Sequence, residues 1–256
     1  MSRYCLKPVA DILVPLICWI YYIPGYLLFF FPIYLISFIF SKNREKTWQR
    51  LNHLFFKTFF GLMGSITPGL SYRVAGEALS IRSAVIVSNH VSYLDPILLV
   101  SLYEQQKTIV KRTFFKLPVF GWILKTSGYI PSTLAGDADI IRRIEEMGAY
   151  LASGGNLFIF PEGTRSRDGQ IGRFNKSAFK IARNCHAPIY VLFIRNTDVL
   201  FPPGGFRFNT CVANTIRVEL LGRLDPENQN MSASELAQQA RTLMLQRLDQ
   251  LKKGEE

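Results

Sequence analysis

Ionisable residues are scarce in this chain. Charged side chains make up 19% of it against 48% apolar, and acids are the scarcer sign: 19 Asp and Glu face 30 Lys and Arg, a net charge of +11. That excess implies an anionic partner, whether nucleic acid, a membrane surface or a phosphorylated substrate. The four cysteines, Cys5, Cys18, Cys185 and Cys211, are scattered and form no CxxC pair. They offer neither zinc-ligand spacing nor a disulfide framework, and they fit a reducing, cytosol-facing compartment. There is no internal repeat. No G-x-S-x-G elbow marks a serine as nucleophile. Histidine occurs 3 times, so a general base has few candidates.

Charge is also missing locally. From Ile12 to Ser41, thirty consecutive residues carry none. About 20 apolar residues suffice to cross a bilayer. The run is too long for a signal-peptide core, and no small-residue cleavage site follows it. Residues 1–60 hold 7 basic against 2 acidic residues (+5), and residues 61–256 hold 23 against 17 (+6). The basic excess is thus denser beside the apolar run, which favours a membrane over nucleic acid; no nucleic-acid recognition motif occurs. Pro15, Pro24-Gly25 and Pro32 interrupt the run, and each interior proline removes a helical hydrogen bond. A kinked single span and a shallow hairpin broken near Pro24-Gly25 both fit. Basic residues flank both ends and do not separate the two. Next, Trp48, Leu51, Phe55, Phe59 and Leu62 recur at helical steps between Arg44 and Met63, among Arg44, Lys46, Arg50 and Lys57. That is a basic amphipathic helix, suited to a membrane interface, to packing on a globular domain, or to both. Residues 1–66 are therefore expected to be membrane-anchoring helices, and residues 67–256 a second, catalytic domain.

In that domain short apolar runs alternate with helical patterns. Strands are expected at 71–74, 84–87, 107–110, 157–160, 189–194 and 216–221. Helices are expected at 96–102, 136–153 and 176–183, and from a capping box at Ser232 and Glu235 through Leu251. Residues 252–256 read as a disordered tail. The alternation predicts an α/β fold: a mostly parallel central sheet flanked by helices, with the N-terminal membrane-embedded helical segment before it.

The chemistry concentrates in two strand-end loops. Ala84-Val85-Ile86-Val87 runs into Ser88-Asn89-His90-Val91-Ser92-Tyr93-Leu94-Asp95-Pro96. A His at a strand's carboxyl end, with a carboxylate one loop away, lies where open α/β sheets place their sites. The carboxylate would fix the imidazole's tautomer and stabilise its charged form, making His90 a general base. With no protein nucleophile marked, His90 is expected to activate a hydroxyl of the substrate. Asp95 before Pro96 also suits a helix N-cap with Pro at the first helical position. His53 and His186 have no carboxylate near in sequence. The second loop is Phe160-Pro161-Glu162-Gly163-Thr164-Arg165-Ser166. Pro161 and Gly163 shape a tight turn, Gly163 lets backbone N–H groups approach an anion, and the planar fork of Arg165 suits phosphate.

His90-x4-Asp95 followed by Phe160-Pro161-Glu162-Gly163-Thr164-Arg165-Ser166 closely resembles the glycerophospholipid acyltransferase family, and within it the 1-acylglycerol-3-phosphate (lysophosphatidic acid) acyltransferases. The likeness runs over roughly residues 70–220. Ala187-Pro188-Ile189-Tyr190-Val191 resembles the family's fourth block, and Lys111 with Pro118-Val119-Phe120-Gly121-Trp122 the segment before its second. The resemblance implies a membrane-bound O-acyltransferase with no cofactor. An acyl group would pass from acyl-CoA or acyl-acyl-carrier-protein to the glycerol hydroxyl of a lysophospholipid, with no acyl-enzyme. It implies His90 as base and Asp95 as its orienting partner. Glu162, Gly163, Thr164 and Arg165, with Lys111 and Lys176, would bind the acceptor, on the cytoplasmic face of an anionic inner membrane. The chain departs from the family at Pro131-Ser132-Thr133, where an Arg is expected, and at Lys176-Ser177, where a Gly follows the Lys. Phosphate would then fall to Lys111, Arg112, Lys125 or Arg173. Acylation of another lyso-lipid, such as a lyso-aminolipid, and a non-catalytic lipid-binding role are the alternatives.

Overall fold

The computed structural model describes residues 3–132, 137–202, 208–227 and 231–254. In chain order, α1 (Arg3–Ile20) continues through a π-helical stretch (Tyr21–Phe30) into α2 (Phe31–Phe40), and α3 (Arg44–Ile66) follows. Then come β1 (Leu70–Val74), α4 (Gly76–Leu79), β2 (Ala84–Ser88), α5 (Leu94–Leu102) and β3 (Gln106–Val110). A 3-10 turn (Arg112–Lys116) leads to α6 (Pro118–Thr126), β4 (Ile130–Pro131), α7 (Asp137–Ala152) and β5 (Asn156–Ile159). The remainder is α8 (Ser177–Asn184), β6 (Ile189–Arg195), α9 (Thr197–Leu200), β7 (Asn214–Leu224) and α10 (Ala233–Lys252). The chain divides into two compact units: residues 1–73, 91–104 and 195–217, and residues 74–90, 105–194 and 218–256.

In the first unit one continuous helix runs from Lys7 to Phe40 and takes in the uncharged run up to Phe40; an 18-residue stretch of it has mean hydropathy 2.0, and it is long and apolar enough to cross a membrane. A hairpin broken at Pro24-Gly25 does not form. Pro24 sits inside the π-helical stretch, whose wider winding absorbs the missing hydrogen bond without ending the helix. The chain turns instead at Ser41–Asn43, where the Asn43 side chain caps α3 by accepting from the Lys46 N–H (3.0 Å). α3 then packs along its partners. The Tyr21 hydroxyl donates to the Phe55 carbonyl (2.9 Å), that of Tyr34 donates to Asn52 (2.5 Å), and Trp48 meets Tyr34 edge to face at 4.9 Å. Trp48, Phe55, Phe59 and Met63 are buried, and α3 also lies against α5. The expected amphipathic helix is thus a packed one.

In the second unit strands lie in the order β7-β6-β2-β5-β3-β4. β2 runs parallel to both β5 and β6, and β3 runs parallel to β5 and β4. All five residues of β2 are buried, the pattern of a parallel strand covered on both faces. Val85 and Val87, Leu157 and Ile159, and Ile189, Val191 and Phe193 share one core with α7, α8 and α10. Pro131, which cannot donate to a ladder, lies on the edge strand β4, where proline is tolerated. Thr133 and Gly136 lie outside the described residues. The expected tail is shorter than the sequence suggests: Lys252 is helical and Lys253 and Gly254 close a turn, while 255–256 lie outside the description.

Phe158, fully buried at the centre of β5, carries the strand into the second loop. Phe158→Ala should cost about 3–5 kcal/mol, the usual range for deleting a buried aromatic, as a lowered denaturant midpoint with unchanged slope.

Candidate functional site

Parallel pairing decides where the two loops meet. Val87 is in register with Ile159 and also with Val191, so β2, β5 and β6 end at one edge. His90 therefore leaves the sheet beside Phe160 and Pro161. Its ring stacks on Phe160, centroids 4.4 Å apart at 29°. Its carbonyl accepts from the Ser166 N–H (2.8 Å), and its N–H reaches Glu162 Oε1 (3.3 Å). The preceding residue, Asn89, is buried and locks onto β6, donating to the Ile194 carbonyl (2.9 Å) and accepting from its N–H (2.7 Å). His90 itself is half-buried.

The second loop is a turn closed by the Gly163 N–H on the Phe160 carbonyl (3.1 Å). Gly163 has φ +70°, the left-handed region that glycine enters without strain. Its own N–H is thus spent on the turn. Glu162 turns both oxygens to backbone donors: Oε1 to His90 and Oε2 to Gly172 (3.0 Å). Burial pushes its carboxyl above the usual value, and these two N–H groups and the charges of His90 and Arg241 pull the other way. Arg241 on α10 closes the set by donating to the carbonyls of Gly172 (2.7 Å) and Ile171 (3.1 Å). Thr164 is exposed and Arg165 half-buried. Lys111 follows β3 at the same edge, exposed. Lys176 is exposed beside Asn175, whose N–H bonds the Pro161 carbonyl (2.7 Å). The edge therefore gathers His90, Glu162, Gly163, Thr164, Arg165, Lys111 and Lys176.

Asp95 belongs to the first unit. α5 begins at Leu94, two residues earlier than expected, so Asp95 lies in its first turn and Tyr93 is the N-cap. The fully buried Asp95 carboxylate reaches back out of the helix. Oδ2 accepts from the N–H groups of Val91 and Ser92 (both 2.7 Å), and Oδ1 accepts from the Thr197 hydroxyl (2.5 Å). It therefore holds the residues that follow His90 and does not cap the helix. Burial raises the carboxyl of Asp198 against backbone hydrogen bonds that lower it, and the Asp95 charge adds to the rise. Thr197 and Asp198 escaped the sequence reading. The signal available was Asn196-Thr197-Asp198, a third polar strand end after β6.

The other histidines stand apart. His53 is buried on α3, and burial lowers its pKa. His186 does have a carboxylate, Glu227 at 2.5 Å, far away in sequence. That pair is exposed, and His186 immediately precedes β6, at the amino end of that strand.

Residues 71–195 match the family model described as Acyltransferase. The chain is 37% identical over 123 residues to the chloroplastic 1-acyl-sn-glycerol-3-phosphate acyltransferase BAT2 of Brassica napus, covering 47% of this chain and 35% of that protein. It is 36% identical over 151 residues to the chloroplastic LPAT1 of Arabidopsis thaliana, covering 56% and 42%. It thus spans well under two thirds of these relatives. Among solved structures, the 1-acyl-sn-glycerophosphate acyltransferase PlsC of Thermotoga maritima shares its fold, with a TM-score of 0.72, 22% identity and coverage of 95% of this chain and 98% of that one.

Thr197→Val removes the hydroxyl donor to Asp95 and should cost about 1.5–3 kcal/mol, the range for a hydrogen bond to a charged group, read as a loss of thermal or denaturant stability. The raised Glu162 carboxyl gives a pH test. The folded chain keeps that proton where the unfolded chain has released it, so stability falls as pH rises through the interval. Wild-type stability measured against Glu162→Gln should decline as pH rises above the ordinary carboxyl value of about 4.3 and through the raised folded value. Denaturant midpoints across that range check it, and an increase would contradict the assignment.

Proposed function

We propose that this chain, whose residues 71–195 match the Acyltransferase family model, is a membrane-bound O-acyltransferase that converts lysophosphatidic acid to phosphatidic acid. His90 takes the proton from the free glycerol hydroxyl of the acceptor. The resulting oxygen attacks the thioester carbonyl of acyl-CoA or acyl-acyl-carrier-protein, the thiolate leaves and takes up a proton, and the new ester departs as product. No acyl-enzyme forms and no cofactor takes part. The observation that carries this reading is the placement of His90: its amide, carbonyl and ring are all held by the Phe160–Ser166 loop at the carboxyl edge of a parallel sheet. A base held this firmly costs little reorganisation at the moment of reaction.

Asp95 acts as the positioning carboxylate for the His90 loop, through its bonds to Val91 and Ser92. Glu162 fixes the second loop by accepting from two backbone N–H groups, those of His90 and Gly172, and Gly163 forms the turn. Thr164, Arg165, Lys111 and Lys176 are offered to the acceptor, with Arg165 the residue for its phosphate. Pro131, which ends the edge strand β4, and the following Ser132 stand where the family's Arg is expected, so Lys111, Arg112, Lys125 or Arg173 would join Arg165 at the phosphate. The names of the relatives support lysophosphatidic acid as acceptor. The Lys7–Phe40 helix is the membrane anchor, with the catalytic residues on the cytoplasmic side.

His90→Ala should lower turnover by about 10²–10⁴-fold, the usual contribution of a general base, with membrane association unchanged. The measurement is acyl transfer by purified protein with both donor classes and a panel of lyso-lipid acceptors. Normal turnover in His90→Ala would remove the mechanism, and preference for an unphosphorylated acceptor would remove the choice of substrate.

A further inference from the structure

A second surface of the chain has the composition of a membrane contact, and it arises in the catalytic unit. Between Glu104 and Asp137 there is no acidic residue, while Lys107, Lys111, Arg112, Lys116 and Lys125 fall in that interval. Within it, the 3-10 turn and α6 expose Phe114 (45%), Leu117 (48%), Val119 (40%) and Phe120 (39%). Four large apolar side chains side by side in solvent are unusual for a soluble surface, and such a patch marks an interaction site.

The local structure holds these groups outward. α6 opens on Pro118 and buries Gly121, Ile123 and Leu124, while Val119 and Phe120 in its first turn stay exposed. The Gly121 N–H bonds the Leu117 carbonyl at 2.7 Å, and a Cβ at Gly121 would come within 2.3 Å of the Phe115 carbonyl oxygen. Only glycine allows the turn and the helix to approach so closely. Phe114 and Phe120 meet edge to face at 6.0 Å. Lys111, Arg112, Lys116 and Lys125 ring the patch in sequence, are exposed, and make no ion pair among the described residues. The element emerges from β3, in register with β5 through Thr108 and Phe158, at the same carboxyl edge as His90 and Glu162.

We propose that the Arg112–Thr126 element is an interfacial foot: Phe114, Leu117, Val119 and Phe120 enter the headgroup layer of an anionic bilayer, and the flanking cations meet its phosphates. Charge complementarity selects this occupant. An apolar knob ringed by cations, with no acid in its interval, fits an anionic lipid surface and not a neutral or basic protein face. The foot would set the catalytic edge against the bilayer, where a lipid acceptor resides. This rests on the membrane reading above and extends it to a contact independent of the N-terminal helix.

The test is photocrosslinking with the full chain reconstituted into vesicles of phosphatidylcholine, with and without phosphatidylglycerol. The photoreactive residue p-benzoylphenylalanine is placed in separate proteins at Phe120, at Leu117, at Leu28 in the apolar helix and at exposed Lys180 on α8. Phospholipid adducts at Phe120 and Leu117, matching those at Leu28 and absent at Lys180, are expected. Combined Arg112→Gln, Lys116→Gln and Lys125→Gln should lower the Phe120 adduct when phosphatidylglycerol is present and leave it unchanged in phosphatidylcholine alone. An adduct at Leu28 with none at Phe120 and Leu117 would overturn the foot while leaving the anchor standing. Adducts at none of these positions would overturn the membrane reading itself. Crosslinks from Phe120 to a second copy of the chain would reassign the patch to self-association.

Discussion

Everything at the carboxyl edge of the sheet depends on one junction, the backbone of His90 held by the loop that follows β5. The His90 carbonyl accepts from Ser166, its N–H meets Glu162, and its ring lies on Phe160. Because β2 and β5 are parallel neighbours in fixed register, this junction can form only where both strands end. Parallel strands buried on both faces hold their register strongly, since a one-residue slip would turn every side chain to the wrong face. Core packing in the second unit therefore sets the position of a polar group at its rim.

The junction is supported from behind by hydrogen-bonded polar groups. Asn89 spans β6 with two bonds, and Glu162 ties His90 to Gly172, which Arg241 holds from α10. In the first unit Asp95 gathers Val91, Ser92 and Thr197. A buried carboxylate is costly unless donors surround it, and three donors surround this one. Acid residues are few in this chain, and two of them serve as fasteners for loops. That leaves Arg165, Lys111 and Lys176 as the cations of this edge.

Much of this was legible in the residues. Strand-like runs at 84–87, 157–160 and 189–194 appear as strands within a residue or two, because apolar β-branched runs have few other ways to bury themselves. The capping box at Ser232 and Glu235 forms as its spacing implies. The elements that were missed are short: α4, α6, β4 and α9 span two to nine residues, too few for a periodic signal. The start of α5 shifted because Asp95 found better donors outside the helix than within it. At Pro24-Gly25 a local breaker lost to the surrounding helix, which stacks Tyr21 and Phe30 on Phe55 of α3.

The sequence by itself determined the alternation of strands and helices, the uncharged helix, the basic excess and the identity of the two polar loops, since these follow from local composition and spacing. Only the tertiary structure decided what those loops do to one another. It set Glu162 on backbone N–H groups, spent the Gly163 N–H on a turn, brought Thr197 to Asp95, and left Phe114 and Phe120 outward. Each of those outcomes depends on which donor, acceptor or core surface arrives from a distant part of the chain. Spacing along the sequence carries no record of that arrival.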